Sequence, residues 1–465
     1  MREILCSGQA RSLEFPYPGG MAALCWSPAG ERGELTVSLH YDGAYGMGEK
    51  YNAVNQKGHT AVNEVEEKFC FQGEKTYCPA PFFWTNTGFG LYAATDERTS
   101  FRFGEKAVCA ELPVDCRVVL FSGMPGEIIR DYMDLFGPAK LPPKWAFGPW
   151  ISANHWDSQE KVERAVAQAE EHGFPVCALV AEAWSDEATF YVFRGARYVP
   201  KPNGGAFRLE DFDFSDSPWP DPAGMVQRLH EKGIRFLLWQ IPVYKKQGPD
   251  EPLNAQNELD QADAVARGLC VHNADGSPYT IPEGYWFAGS MIPDFTNPAA
   301  EETWFSKRNY LTEMGIDGFK TDGGEFIYRE DVLFADGSSG RAGKNRYAQE
   351  YTAAYTKHLG SAQALFSRAG YAGQHTTPIH WAGDQQSQNS ELASALRAGL
   401  SAALTGIPFW GFDIGGFAGP LPTLDLYRRA TQLACFVPVM QWHSEPDGGQ
   451  FRELMPGGEG KVETL

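Results

Sequence analysis

The stretch DPAGMVQRLHEKGIRFLLWQIPV, Asp221–Val243, decides the fold. Asp221 before Pro222 is a helix start: a side-chain oxygen for an orphan N–H, then a proline whose missing donor costs nothing in the first turn. Gly233 supplies the stop. The apolar run IRFLLWQIPV that follows predicts a strand buried on both faces, as parallel strands covered by helices are.

The same unit recurs along the chain. Asp157 with Glu160 predicts a capping box, Val162, Ala165, Val166 and Ala169 an apolar stripe, Gly173 its end, and PVCALVAE a strand. Asn297 with Pro298 opens another helix, closed by Gly315 before DGFKTD. Later copies are YAQEYTAAYTKHLG before ALFSR, ELASALRAGLSAALTG before IPFWGFD, and TLDLYRRATQLA before CFVPVMQWH. With WAFGPWIS as the first strand and IHWAGD as the sixth, eight parallel strands are expected. That pattern predicts an α/β fold, a (β/α)8 TIM barrel. An open doubly wound sheet is the rival, but no Gly-rich phosphate turn follows the first strand. Only the irregular AGYAGQHTTP separates strands five and six. After strand eight, EPDGGQFRELMPGGEGKVETL offers no amphipathic helix, so the barrel is expected to be cut short there.

Before Leu141 the texture differs. ELTVSLHY, GFGLYAATDE and CRVVLFSG alternate apolar and polar residues between Gly and Pro, the mark of antiparallel strands. PGEIIRDYMDLFG is the exception, with Ile128, Ile129, Tyr132 and Leu135 on one helical face. Residues 1–141 are therefore read as an antiparallel β domain, GPAKLPPKW as a linker, and 142–465 as the barrel.

In 465 residues, 40 basic and 59 acidic side chains leave a net charge of −19, which disfavours nucleic acid and anionic membranes as partners. Nine cysteines without CxxC spacing read as reduced thiols. The start lacks the apolar region of a signal peptide, and no run approaches ~18 consecutive apolar residues. A soluble, cytoplasmic protein is expected; the sequence does not address its oligomeric state.

Side chains at the carboxyl ends of barrel strands converge on one mouth. Here those ends are Glu182, Asp322, Arg368, Asp384, Asp413 and His443, with Gln240 near the end of strand three. One charge at a strand end is unremarkable as a cap or a solvated rim, whereas six converging charges point to a catalytic cleft. Lys320 and Asp322, two apart in GIDGFKTDGGEF (Gly315–Phe326), point the same way from their strand. The ammonium is expected to keep Asp322 ionised, as a carboxylate nucleophile requires; a structural ion pair is the alternative. Asp384, in PIHWAGDQQS behind Trp381, has no basic neighbour in its stretch. A drier setting raises a carboxyl pKa and suits a proton donor, although capping the next helix would also explain an aspartate there. Two carboxylates in unlike environments are what glycoside hydrolysis uses.

The surroundings fit a sugar. Trp150, Trp156, Trp184, Trp239, Trp286, Trp381, Trp410 and Trp442 lie near predicted strand ends, where some can stack on pyranose rings. Arg368, Asp413 and His443 can clamp hydroxyls. His155, His375, His380 and His443 raise the question of a metal, but the first strand has no H-x-H and the chain no H-E-x-x-H, so no metal and no cofactor are expected. No G-x-S-x-G elbow exists. A carbohydrate-binding barrel without chemistry is the non-enzyme alternative.

At these residues the chain resembles glycoside hydrolase family 31, the retaining α-glucosidases, α-xylosidases and their relatives. YGMGEKY and PFFWTNTGFGLYAA look like that family's N-terminal β-sandwich and LPPKWAFGPWIS like its entry into the barrel. DFTNPAAEETWF, GIDGFKTDGGE, FSRAG, HWAGDQQS, GIPFWGFDIGGF and VPVMQWHSEP follow in the family's order. The resemblance implies Asp322 as nucleophile and Asp384 as general acid/base. It also implies that Glu182, Lys320, Arg368, Trp381, Asp413 and His443 bind substrate. Lys320 is similar to the α-xylosidase branch. Glu182 departs from the aspartate many members carry, and the loop NQKGHTAVNEVEEKFCFQGEKTY is where the family closes its sugar pocket. The implied activity is a retaining exo-α-glycosidase acting on an oligosaccharide or α-glycoside, with α-glucosides first, α-xylosides second and sulfoquinovosides third. For the last, Arg194 and Arg197 would face the sulfonate. The catalytic carboxyl groups are expected about 5 to 6 Å apart.

Overall fold

The computed structural model describes residues 1–443. All eight expected strands form: β1 (Pro149–Ala153), β2 (Ala178–Ala181), β3 (Arg235–Gln240), β4 (Gly318–Thr321), β5 (Ala364–Ser367), β6 (Ile379–Trp381), β7 (Trp410–Gly411) and β8 (Met440–Trp442). They make one parallel sheet in the order β7-β6-β5-β4-β3-β2-β1-β8. β7 and β8 close it into a barrel: Val439 N–H donates to the Trp410 carbonyl at 3.3 Å, and Ile414 N–H to the Gln441 carbonyl at 3.0 Å. Every residue of β2, β4 and β5 is buried, which is why these strands read as continuous apolar runs.

The crossover helices follow their sequence signals. Asp221 Oδ1 accepts the Gly224 N–H at 3.0 Å, and Met225, Val226 and Leu229 bury the inner stripe of the helix Pro222–Glu231. Burial of each such side chain stabilises by about 1.5–3 kcal/mol. Asn297 caps Pro298–Ser306 in the same way. The helix Gln159–Glu171 is capped by Ser158 rather than Asp157. Ser158 Oγ sits three residues before the Lys161 N–H it accepts, while the Asp157 carboxylate pairs with the Lys161 ammonium at 2.7 Å. Between β5 and β6 there is only a 3-10 turn, Gln374–Thr376.

The N-terminal segment builds two antiparallel sheets. Five strands run in the order Arg2–Cys6, Cys116–Ser122, Phe89–Ala94, Pro79–Thr85, Ala44–Gly48. Six run in the order Arg11–Tyr17, Gly20–Ala29, Arg32–Ser38, Ala107–Pro113, Thr99–Phe103, Thr60–Asn63. Ile4, Phe83 and Leu91 of the first share a core with Leu24, Val37 and Phe101 of the second, a sandwich. The outer face of the five-stranded sheet is not solvated. Phe82, Trp84 and Tyr92 pack with Ile128 and Tyr132 of the helix Pro125–Met133 against Ala369, Tyr371 and Ala372 of the barrel. The strand Pro79–Thr85 is therefore buried at every position and shows no alternation. Leu135 does not join the face expected for it: the helix has ended, Leu135 is 38% exposed, and Phe136 packs on Tyr92 and Tyr132 instead.

All nine cysteines are unbridged. Among the described residues no helix is long and apolar enough to cross a membrane. The expectation of a barrel cut short after strand eight concerns residues 444–465, which lie outside the described ones.

Candidate active site

The carboxyl ends of the strands open on a cavity of about 460 Å³. Each strand sends a short piece of irregular chain over its end, and these pieces place Glu182 after β2, Asp322 after β4, Arg368 after β5, Asp384 after β6 and His443 after β8 around it. Lys320 and Trp381 reach it from within β4 and β6. Seven of the eight expected residues thus line one cavity.

Asp413 does not. Two residues past β7 the chain pairs with β8, and the carboxylate turns behind the wall, where Oδ1 accepts from Gln441 Nε2 at 3.1 Å. It is 2% exposed, and burial pushes its pKa well up. Its contact is with Gln441, and its charge still acts on Lys320 from behind the lining.

Lys320 is not the partner of Asp322. Its Nζ donates to Glu182 Oε1 at 2.8 Å and lies 4.8 Å over the Trp381 ring. Burial works against the ammonium, but the carboxylates of Glu182, Asp413 and Asp322 outweigh it and raise the Lys320 pKa. Glu182, one methylene longer than aspartate, spans from β2 to that ammonium and also accepts from Ser152 Oγ at 3.2 Å. The ion beside Asp322 is Arg368, with Nη1 at 3.1 Å from Oδ1. Alternation along β4 does aim Lys320 and Asp322 into the same mouth, but the partners are chosen by neighbouring strands, which sequence spacing does not show.

Asp322 is held by three donors: Arg368 Nη1, its neighbour Gly323 N–H at 2.8 Å on the same oxygen, and Trp239 Nε1 at 3.0 Å on Oδ2. These three contacts fix the orientation of the carboxylate in the mouth. Asp384 is equally sheltered, 15% exposed against 16%, yet its ion contact is a single long one, 3.6 Å from Oδ2 to the same Arg368 Nη1. Burial, opposed by Arg368 and aided by the charge of Asp322, raises its pKa to about 7. The two acids differ in their donors more than in their exposure.

Arg368 lines the cavity and is also held by several acidic and aromatic groups. Nε and Nη2 grip Glu325 at 3.2 and 3.0 Å, Nη1 faces the two aspartates, and the guanidinium lies 4.3 Å from the Tyr77 ring. Glu325, fully buried, is a site residue that sequence reasoning missed, although its place three positions after Asp322 in KTDGGE was a signal. Glu67, Phe69 and Tyr77 were missed for a different reason: they come from the sandwich loop, and nothing local reveals which of its residues reach the barrel mouth. His443 stacks on Phe417, ring centroids 4.9 Å apart, with Nε2 3.6 Å from Glu182 Oε1.

Of the eight tryptophans considered, Trp239, Trp286 and Trp381 line the cavity. Trp150, Trp156, Trp184 and Trp442 are fully buried core, and Trp410 binds Glu49. His375 and His380 are tied to backbone carbonyls of Gly137 and Gln374. Arg194 and Arg197 lie outside the cavity, paired with Asp157 and with Asp213 and Asp216 on the surface.

Fold and site together define a (β/α)8-barrel protein with an acidic, aromatic-walled mouth completed by a sandwich domain. A family model for the glycosyl hydrolases family 31 TIM-barrel domain matches residues 139–462. The chain belongs to glycoside hydrolase family 31. It is 38% identical over 419 residues to an isomaltosyltransferase of Sporosarcina globispora, covering 87% of this chain and 38% of that one. It is 36% identical over 442 residues to a 1,3-alpha-isomaltosidase of Kribbella flavida, covering 92% and 60%. A cycloalternan-forming enzyme from Listeria monocytogenes, solved with a pentasaccharide substrate, superposes with a TM-score of 0.89 at 35% identity, covering 94% of this chain and 44% of that one. The chain thus spans roughly two fifths to three fifths of the length of the two sequence relatives.

Proposed function

We propose that the protein is a retaining α-glycosidase in which Asp322 is the nucleophile and Asp384 the general acid/base. The observation that carries the reading is that two equally sheltered carboxylates face one guanidinium nitrogen, one held by three donors and the other by a single long contact, where burial raises its pKa to about 7. Their nearest oxygens can be no further apart than the sum of the two contacts to Arg368 Nη1, 3.1 and 3.6 Å. That limit accommodates the about 5–5.5 Å spacing of a retaining pair.

In the first step Asp322 attacks the anomeric carbon, the glycosidic bond breaks, and Asp384 gives its proton to the departing oxygen. A β-glycosyl ester of Asp322 results. In the second, Asp384 takes a proton from water, whose oxygen displaces Asp322 and releases the α-sugar. Trp381 and Trp286 offer flat faces to the ring, and Glu182 with Lys320 and His443 offers hydrogen-bonding groups at the pocket floor.

For the glycone, α-glucosyl is favoured, and within it the isomaltosyl unit handled by the transferase and isomaltosidase relatives. An α-xyloside is the second reading, favoured by Lys320 and by an α-xylosidase relative at 28% identity. The surface pairing of Arg194 and Arg197 removes the motive for a sulfoquinovoside. Hydrolysis and transfer share the intermediate, so the acceptor decides between them. A panel of 4-nitrophenyl α-glucoside, α-isomaltoside and α-xyloside, run on wild type and Asp322→Ala, tests the reading: turnover of a glucosyl member that vanishes in the variant supports it, and turnover surviving the substitution refutes it. Unbridged cysteines support a cytoplasmic location, and a division near Leu141 is part of the same proposal.

A further inference from the structure

Asp384 is positioned by its backbone more than by its carboxylate, whose ion contact is the long one to Arg368. The turn that carries it is pinned at several points. Ala382 N–H donates to the Gly411 carbonyl at 3.1 Å, and Phe417 and Ala418 N–H donate to the Gln385 carbonyl at 2.8 and 3.0 Å. The carbonyl of Ala382, two residues before the acid, receives the phenol of Tyr51. Tyr51 belongs to the sandwich, in the sequence YGMGEKY, and is 3% exposed.

Behind Tyr51 stands Glu49, buried, its Oε1 accepting the Trp410 indole N–H at 2.5 Å and its Oε2 3.4 Å from the Tyr51 hydroxyl. Tyr51 has one proton, and burial holds it on the phenol. With that proton given to Ala382, the contact with Glu49 is satisfied only if the glutamic acid donates. Burial raises the Glu49 pKa to about 8, so it carries the proton this pattern needs. The strut is itself anchored: Gly48 N–H donates to Thr405 Oγ1 at 3.0 Å, and Ser401 Oγ to the Gly48 carbonyl at 2.8 Å. Both anchors sit on Asn389–Thr405, the helix that leads away from the Asp384 turn.

We propose that Tyr51, oriented by protonated Glu49, is a positioning residue that fixes the Ala382 carbonyl and so aims the Asp384 carboxyl at the leaving-group oxygen. The proposal rests on Asp384 being the general acid. A positioning defect in an acid shows in the leaving-group dependence, because fluoride departs with little proton assistance whereas an alkoxide needs the proton. The experiment compares kcat/KM for a glycosyl fluoride and the corresponding alkyl glycoside, with whichever glycone, glucosyl or isomaltosyl, the wild type turns over.

Tyr51→Phe is expected to lose about tenfold or more on the alkyl glycoside beyond any loss on the fluoride, a fraction of the ~10²–10⁴-fold that a full acid supplies. Glu49→Gln, which can still accept from Trp410 and donate to Tyr51, is expected to keep the wild-type ratio. Equal losses of Tyr51→Phe on both substrates, or a ratio disturbed by Glu49→Gln, would overturn the proposal. Asp384→Ala separates the two levels: if it loses equally on both substrates, Asp384 is not the acid and both readings fall. If it loses selectively while Tyr51→Phe does not, only the positioning role falls.

Discussion

At the residue scale the site is a contest for protons around Arg368. A proton donor must be protonated, so kcat/KM on an alkyl α-glycoside is expected to fall as pH rises through about 7, the Asp384 value. The same shift has a stability sign. The folded protein keeps a proton that the unfolded chain gives up near the ordinary carboxyl value, so this group destabilises the fold progressively from about pH 4 to about pH 7. Asp384→Asn should therefore gain urea resistance relative to wild type over that window, and a constant difference would contradict the assignment. Gly383, at φ +77°, leaves no room for a side chain, since a Cβ would stand 2.3 Å from the Tyr77 ring. Gly383→Ala is expected to cut turnover at least ~10²-fold by shifting the adjacent Asp384, and near-wild-type kinetics would show that the turn adapts. That Asp322 and Asp384 stand at strand ends facing one cavity was legible in the sequence. Their partners were not, because Lys320 and Arg368 are claimed by residues 138 and 43 positions away.

At the scale of elements, strand ends do the positioning, and the register of neighbouring strands sets which side chains meet. β4 and β5 approach so closely that a Cβ on Gly318 would lie 1.9 Å from the Ala364 carbonyl oxygen. Gly318→Ala must push those strands apart and is expected to cost about 1–3 kcal/mol in urea unfolding, with loss of turnover because Asp322 and Arg368 follow the two strands. An unchanged midpoint would mean that the strands slide freely. The helix-Gly-strand unit was readable in most of the barrel, the passage from β5 to β6 excepted, because its helices carry an apolar stripe and its strands are buried. β6 and β7 are only three and two residues long; β7 was found through the helix before it, and β6 by counting IHWAGD as the sixth strand. The two misplaced signals, Asp157 as cap and Leu135 as core, lie at helix ends, where one residue of offset changes the partner.

Over the whole molecule, the sandwich is part of the candidate site. It contributes Glu67 and Phe69 to the cavity wall, Tyr77 beneath Arg368 and Tyr51 behind the Asp384 turn. It is also fastened to the barrel by other contacts: Asn345 Oδ1 accepts the Val65 N–H at 2.8 Å, and Tyr371 donates to the Thr95 carbonyl at 3.0 Å. Removing residues 1–141 would expose Ala348, Ala369 and Tyr371 and leave these groups unpaired, so the remaining chain is expected to aggregate or lack turnover. A soluble, active barrel lacking them would show the sandwich to be dispensable. The change from antiparallel sheets to a parallel barrel was legible from the change of texture along the chain. Their shared site was not, since the contacts join residues some 300 positions apart and leave no periodicity behind. Mass spectrometry after exposure to a slow fluorinated α-glucosyl or α-isomaltosyl fluoride tests the mechanism most directly. One glycosyl mass on the peptide bearing Asp322 is the expected result; label on Asp384, or a turnover that releases the inverted anomer with no covalent adduct, would contradict it.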